Sequence, residues 1–193
     1  MKSFEHIKEI EKCSGLSNKE FYDKYVKNSI PVVLKDKPNW TAFEKFTPDF
    51  FKSNYGHLTR TVNGKTYSLN EIIDLCQAST PEKLSPYPNI FNMRVDFPEL
   101  IPHVQPELEY GKKNRLFSKL LPHLFLKRIE NQHQLFFGGN GNSFPNVHID
   151  EFWVHTQLTQ IIGKKEFNFT SIQIATVLEN TNLTLTTPPS PFT

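Results

Sequence analysis

Residues 134–150 place the strongest constraint on what this chain can fold into. A short apolar run at 134–137 leads into a loop with three glycines between positions 138 and 143, and then into the spacing His-x-Asp at His148 and Asp150. Side chains two residues apart on a β-strand point to the same face of the sheet. The spacing therefore predicts that an imidazole and a carboxylate meet at one point.

An imidazole and a carboxylate on one face are two of the three ligands of the facial triad that holds non-haem Fe(II) in oxygenases. The third ligand is expected to be a His further along the chain, but none follows His155. His155 has an odd offset from His148, which puts it on the opposite face of a continuous strand unless a bulge intervenes. His148 and Asp150 are thus candidate metal ligands. The alternative is a partly buried packing His followed by a capping or turn Asp.

Local signals predict helices and a hairpin before this segment and strands around it. Ser17 with Glu20 has the pattern of a capping box, and Thr47 before Pro48 is a typical helix start. Asn63-Gly64 is a strong signal for a two-residue hairpin turn, and Ser68 is placed to cap a helix over 69–77. Further helices are predicted at 3–13, 48–54 and 115–128, and strands at 31–34, 58–62, 65–68, 90–95, 134–137, 146–150, 154–162 and 165–169.

Composition narrows the functional classes. A chain of 193 residues fits one domain, and a net charge of +2 gives no electrostatic case for nucleic-acid binding. Cys13 and Cys76 lie far apart, without zinc spacing, which favours a reduced, cytoplasmic setting. The charged N-terminus is unlike a signal peptide. No apolar run approaches the roughly 20 residues that a membrane span requires, so no membrane partner is expected.

The order of these features resembles the cupin-like JmjC family, which consists of Fe(II)- and 2-oxoglutarate-dependent oxygenases. In that family a turn rich in Phe and Gly leads to His-x-Asp, an amide-rich strand follows, and Gly-x-Lys starts the next strand. The resemblance spans roughly residues 15–167. It is carried by 134–150, by Gln157, Gln160, Gly163 and Lys165, and in the N-terminal part by 21–26, 30–34, Trp40 and 94–100.

The resemblance implies a mainly β fold with N-terminal helices (α+β), built on a double-stranded β-helix, or jelly roll. Residues 1–130 would supply the N-terminal helices and first strands, and 131–169 the metal-binding core. From residue 168 the chain has one charged residue, Glu179, and is rich in Thr and Asn. We therefore predict an atypical, partly disordered tail at 170–193, in which 170–177 can still form a strand.

The resemblance also implies roles for single residues. His148 and Asp150 would bind Fe(II), and Lys165 would pair with the far carboxylate of 2-oxoglutarate; the alternative for Lys165 is an ordinary solvated strand Lys. The family's hydroxyl partner for this carboxylate often lies three residues before the first His, where this chain has Pro145, which cannot donate a hydrogen bond. Thr156 or Ser143 is the alternative donor.

Three functions follow as hypotheses. The first is an oxygenase that hydroxylates a protein side chain, an RNA base or a small molecule. Because the distal His is missing, the second is a non-catalytic, C-terminally truncated remnant or binding module. A shifted reading frame after Glu166 or Phe167 would explain its tail. The third is another cupin activity, such as a metal-dependent isomerase or a sugar-binding protein. The oligomeric state stays open.

Overall fold

The computed structural model describes residues 10–106, 133–144, 156–167 and 175–178. These residues fall into two compact units. The first contains the described residues of 10–39, 156–167 and 175–178, and the second contains 40–106 and 133–144. The predicted helix at 115–128 and the predicted strand at 146–150 lie outside the described residues.

The first unit begins with two parallel strands joined by a helical crossover. Strand β1 (Lys12–Cys13) pairs with β2 (Val32–Leu34), and between them lie helix α1 (Asn18–Phe21) and a π-helical turn (Tyr22–Val26). Parallel neighbours need such a crossover because a tight turn reverses the chain direction. The predicted helix over 3–13 is wrong at Lys12–Cys13, since their pairing with β2 forms a strand there.

A capping box starts the crossover helix, as the sequence predicts. The Ser17 hydroxyl accepts a hydrogen bond from the Glu20 backbone N–H at 3.2 Å. The Glu20 carboxylate in turn accepts one from the Ser17 backbone N–H at 2.9 Å. Two backbone donors that the first helical turn leaves unpaired are thereby satisfied.

Two later strands complete a four-stranded sheet. Strand β7 (Thr156–Thr159) and strand β8 (Ala175–Leu178) give the order β1-β2-β8-β7, in which every neighbouring pair is parallel. Val177 of β8 pairs with Val33 of β2 on one side and with Leu158 of β7 on the other. The strand predicted within 170–177 is thus confirmed at its last three residues.

The apolar core of the first unit forms around β2. Val32, Val33 and Leu34 are each at most 1% exposed, so this strand is buried on both faces. Phe21 and Tyr25 from the crossover pack with Val32 and Leu34 in one cluster. Burying a side chain of this size contributes about 1.5–3 kcal/mol, so this cluster is what fixes the crossover on the sheet.

The second unit consists of short helices and two antiparallel strand pairs. Its helices are α2 (Ala42–Lys45), α3 (Pro48–Tyr55), α4 (Leu69–Gln77), α5 (Met93–Asp96) and a 3-10 helix (Pro98–Val104). Its strand pairs are β3 (Thr59–Val62) with β4 (Lys65–Ser68), and β5 (Ile90–Asn92) with β6 (Gln134–Phe136).

Local sequence signals account for much of this unit. The β3–β4 hairpin turns at Asn63 and Gly64, whose φ angles are 50° and 79°, as the Asn-Gly signal predicts. Helix α4 follows a capping box between Ser68 and Glu71, which confirms the helix predicted over 69–77. The strand predicted over 90–95 is shorter, because the Asn92 side chain accepts a hydrogen bond from the Arg94 N–H at 3.0 Å and starts α5.

The core of the second unit is aromatic. Phe51 makes edge-to-face ring contacts with Phe46, Phe97 and Phe137 at centroid distances of 5.3, 5.6 and 5.1 Å. Such pairs add about 0.5–1.5 kcal/mol each beyond the area that they bury. Because Phe137 directly precedes the glycine-rich loop, this core fixes the point at which that loop begins.

The described part of the chain is therefore a mixture of helices and short strands. It contains one parallel sheet and two antiparallel pairs. A closed jelly roll is not assembled from the described strands, and the predicted jelly roll stays a prediction. Within the same residues, no helix combines the length and the apolar character needed to cross a membrane.

We expect Val177→Pro to destabilise the first unit by about 1–3 kcal/mol, because proline removes a backbone donor and leaves a buried carbonyl unpaired. The measurement is the free energy of unfolding in urea, together with hydrogen exchange of the Val32–Leu34 amides. Val177→Thr keeps the N–H and the β-branched shape and serves as the matched control. Equal stabilities of the two variants would contradict the central position of β8.

Candidate functional site

The structure describes two of the four residues predicted for the site. His148 and Asp150 lie outside the described residues, so the meeting of their side chains stays a prediction. Thr156 is the first residue of β7, is half-buried, and pairs in register with Ala175 of β8. A threonine in this position is held by an ordered strand rather than by a loop.

Lys165 follows a turn. Gly163 has a φ of 83°, and before it the Gln160 side-chain amide donates a hydrogen bond to the Ile162 carbonyl at 2.6 Å. The Lys165 ammonium lies 5.5 Å from the centroid of the Phe167 ring, and the residue is half-buried. The strand predicted over 165–169 is wrong at Lys165 and Glu166, which have no strand pairing. Of the predicted residues that the structure describes, Phe167 alone has a single bridge pair.

The chemistry of the predicted donor set fits Fe(II) and 2-oxoglutarate. A neutral imidazole and a carboxylate suit a metal that changes oxidation state, and an ammonium group suits a carboxylate ligand. In the part of the chain that the structure describes, no three His, Cys, Asp or Glu side chains form a group that could hold a metal. The predicted ligands His148 and Asp150 fall outside that part, so the metal site stays a prediction.

The glycine-rich loop at 138–143, which precedes the predicted ligands, is a loop as expected and is tied down by Asn142. The Asn142 side-chain oxygen accepts hydrogen bonds from the Gly139 N–H, at 2.8 Å, and from the Ser85 hydroxyl. Its side-chain nitrogen donates to the Ser85 carbonyl at 3.0 Å. One amide group thus joins the loop to residue 85 of the preceding loop, and both atoms of its polar end are used.

Two further side chains complete this anchor. The Ser79 hydroxyl donates to the Asn140 carbonyl at 2.8 Å and accepts from the Ser85 N–H at 3.1 Å. Asn89, only 1% exposed, accepts from the Phe137 N–H at 3.0 Å and donates to the Phe137 carbonyl at 2.6 Å, as a neighbouring strand would. The sequence pattern did not predict these contacts with 137–140, because Ser79 and Asn89 lie 61 and 48 positions from their partners there.

Two glycines are required by this packing. A Cβ on Gly139 would overlap the Ser79 Cβ and lie 2.6 Å from the Cys76 carbonyl oxygen. Gly141 has a φ of 82°, and a Cβ there would lie 2.8 Å from the Pro81 Cα. The loop therefore approaches its support more closely than any residue with a side chain permits.

Cys76 lies beneath the same loop. It is half-buried on α4, and its sulfur is 3.4 Å from the Ser85 hydroxyl oxygen. Burial raises the pKa of the Cys76 thiol, and the hydrogen bond from Ser85 partly offsets that rise. The thiol is consequently a packing group rather than a nucleophile.

We expect Gly139→Ala to lower the free energy of unfolding by about 1–3 kcal/mol, because the added methyl overpacks the contact with Ser79 and Cys76. Gly138→Ala is the matched control, since the nearest atom to its Cβ is on the Tyr87 ring at 3.4 Å, an ordinary contact. Urea unfolding measures both. A tolerated alanine at 139 would show that the loop is not held against α4.

Alkylation of Cys76 is expected to require a higher pH in the folded chain than in urea, because the raised pKa delays formation of the reactive thiolate. In Ser85→Ala the profile should move to still higher pH, since the hydrogen bond that lowers the pKa is removed. The measurement is the pH dependence of the iodoacetamide rate at Cys76, read by peptide mass spectrometry. Coinciding folded and unfolded profiles would refute the burial of this thiol.

Comparison with known proteins adds no relative. No protein-family model, no curated protein and no solved structure matches this chain.

Proposed function

We propose that this chain is an Fe(II)- and 2-oxoglutarate-dependent oxygenase of the cupin-like JmjC type, with a jelly-roll fold. The observation that carries the proposal is the spacing His148-x-Asp150, five residues beyond the loop at 138–143. The hydrogen bonds of Ser79, Ser85 and Asn142 support it, because they hold in place the loop that precedes the predicted ligands.

In this proposal each residue has a defined task. His148 and Asp150 would hold the metal, which when bound supplies the activation of O2. Lys165 would hold the far carboxylate of 2-oxoglutarate by charge, and Thr156 would add a hydroxyl hydrogen bond. The half-buried position of Lys165 supports this task, because an ion pair close to the protein is screened less than one in bulk water.

The third ligand decides between the proposed function and a second candidate. Residues 156–193 contain no His, so within these residues water or another side chain would complete the coordination. Two protein ligands bind Fe(II) more weakly than three. This observation favours, as the second candidate, a binding module that takes up metal and 2-oxoglutarate but does not turn over.

The proposed location is the cytoplasm. The proposed substrate is a protein side chain, an RNA base or a small molecule. Both Cys13 and Cys76, which lie within the described residues, are free thiols rather than partners in a disulfide. Free, half-buried thiols are the usual state of cysteines in a reducing compartment.

The test is an anaerobic titration with Fe(II) in the presence of 2-oxoglutarate, following the visible charge-transfer absorption of the chelated pair. We expect the band in the wild type and its loss in His148→Ala, because losing a ligand costs more than the roughly 10–100-fold typical of an outer partner. Lys165→Met should keep Fe(II) binding but weaken the response to 2-oxoglutarate.

His57→Ala is the matched control, since His57 is exposed and lies in the second unit. A band that survives in His148→Ala would reject the proposed site. Succinate release under O2 then separates the two candidates. A band with succinate supports the oxygenase, and a band without succinate supports the binding module.

A further inference from the structure

His103 joins two helices of the second unit through both of its ring nitrogens. It lies in the 3-10 helix Pro98–Val104, and its Nδ1 is 2.7 Å from the Thr41 hydroxyl oxygen. Its Nε2 is 2.7 Å from the Lys45 ammonium nitrogen at the end of α2. The imidazole therefore spans from the residue that precedes α2 to the last residue of that helix.

These contacts select one protonation form of the ring. An ammonium group only donates hydrogen bonds, so Nε2 has to accept from Lys45. A neutral imidazole then carries its proton on Nδ1, from which it donates to the Thr41 oxygen. The arrangement is satisfied by the neutral ring and by one of its two tautomers.

Among the contacts of the described residues, the charged group that faces the ring is Lys45. Phe46, the residue directly after α2, contacts the imidazole edge-on at a ring-centroid distance of 6.2 Å. The Phe50 ring on α3 has its centroid 5.3 Å from the Lys45 ammonium nitrogen. On the 3-10 helix itself, the Glu99 carboxylate accepts a hydrogen bond from the Tyr55 hydroxyl at 2.6 Å.

We propose that His103 is a proton-sensitive clasp between α2 and the 3-10 helix. Protonation turns Nε2 into a donor and places a positive charge against the Lys45 ammonium, so this contact opens. The Thr41 contact persists, because Nδ1 remains a donor. The Trp40 indole N–H, which donates to the Pro106 carbonyl at 2.8 Å, holds the start of the segment independently of pH.

Loss of the contact between Lys45 and His103 therefore affects only the C-terminal end of α2. The backbone N–H groups of Lys45 and Phe46 bond to the carbonyls of Thr41 and Ala42 at 3.0 and 2.9 Å. These two amides report on that end of the helix.

The test is NMR of the whole chain at about pH 8 and about pH 5.5. Ring ¹⁵N shifts at the higher pH are expected to show the Nδ1–H tautomer at His103. Hydrogen-exchange protection factors of the Lys45 and Phe46 amides should fall roughly three- to five-fold at the lower pH, the size expected for one exposed charged contact. Protection factors are used because they remove the intrinsic pH dependence of exchange.

Lys45→Met keeps the length of the side chain and removes its charge, so the pH response of the two amides should disappear in this variant. His57→Ala should keep the response, because it leaves the clasp intact. An Nε2–H tautomer in the wild type, or an unchanged pH response in Lys45→Met, would overturn the proposal.

Discussion

The first unit depends on the pairing of one buried strand. Every polar backbone group of β2 is removed from water, because its three side chains are buried on both faces of the sheet. Buried N–H and C=O groups have to be paired, since leaving one unpaired costs about as much as a hydrogen bond to it stabilises. Strand β1 supplies partners on one side and β8 on the other, so the sheet is complete only with both.

In the second unit, side chains rather than a neighbouring strand pair some of the backbone N–H and C=O groups. The stretch between α4 and β5 and the glycine-rich loop both lack regular strand pairing, yet they lie against each other and are joined by direct hydrogen bonds. Asn89 takes the place of a neighbouring strand for Phe137, and Asn142 does the same for Gly139 and Ser85. Both are primary amides, which donate and accept at once and so can replace a peptide group.

Local structure was predictable where its cause is local. The capping boxes at Ser17 and Ser68 and the turn at Asn63-Gly64 were predicted from a few adjacent residues, because each is closed by hydrogen bonds over two to four positions. The strand status of Lys12–Cys13 and the anchoring of the glycine-rich loop were not predictable in this way. Their partners lie far along the chain, and no spacing in the sequence records them.

For the candidate site, the sequence predicts ligands, His148 and Asp150, that lie outside the residues the structure describes. The residue types of His148, Asp150 and Lys165 predict a chemistry, and the structure adds the half-buried setting of Lys165 and the strand position of Thr156. The relative positions of the predicted metal ligands depend on tertiary packing. No propensity or periodicity can supply them.

The insertion of β8 has a consequence for how this protein emerges from the ribosome. Residues of β2 are synthesised well before their partners in β8, because a long stretch of chain separates the two strands. Until β8 is translated, the apolar strand β2 has one unpaired edge. Pairing over such a separation is slow, because the entropy cost of closing the loop comes before the pairing contacts stabilise the sheet. During that interval the nascent chain presents an apolar surface suited to chaperones, so its yield in cells should depend on them.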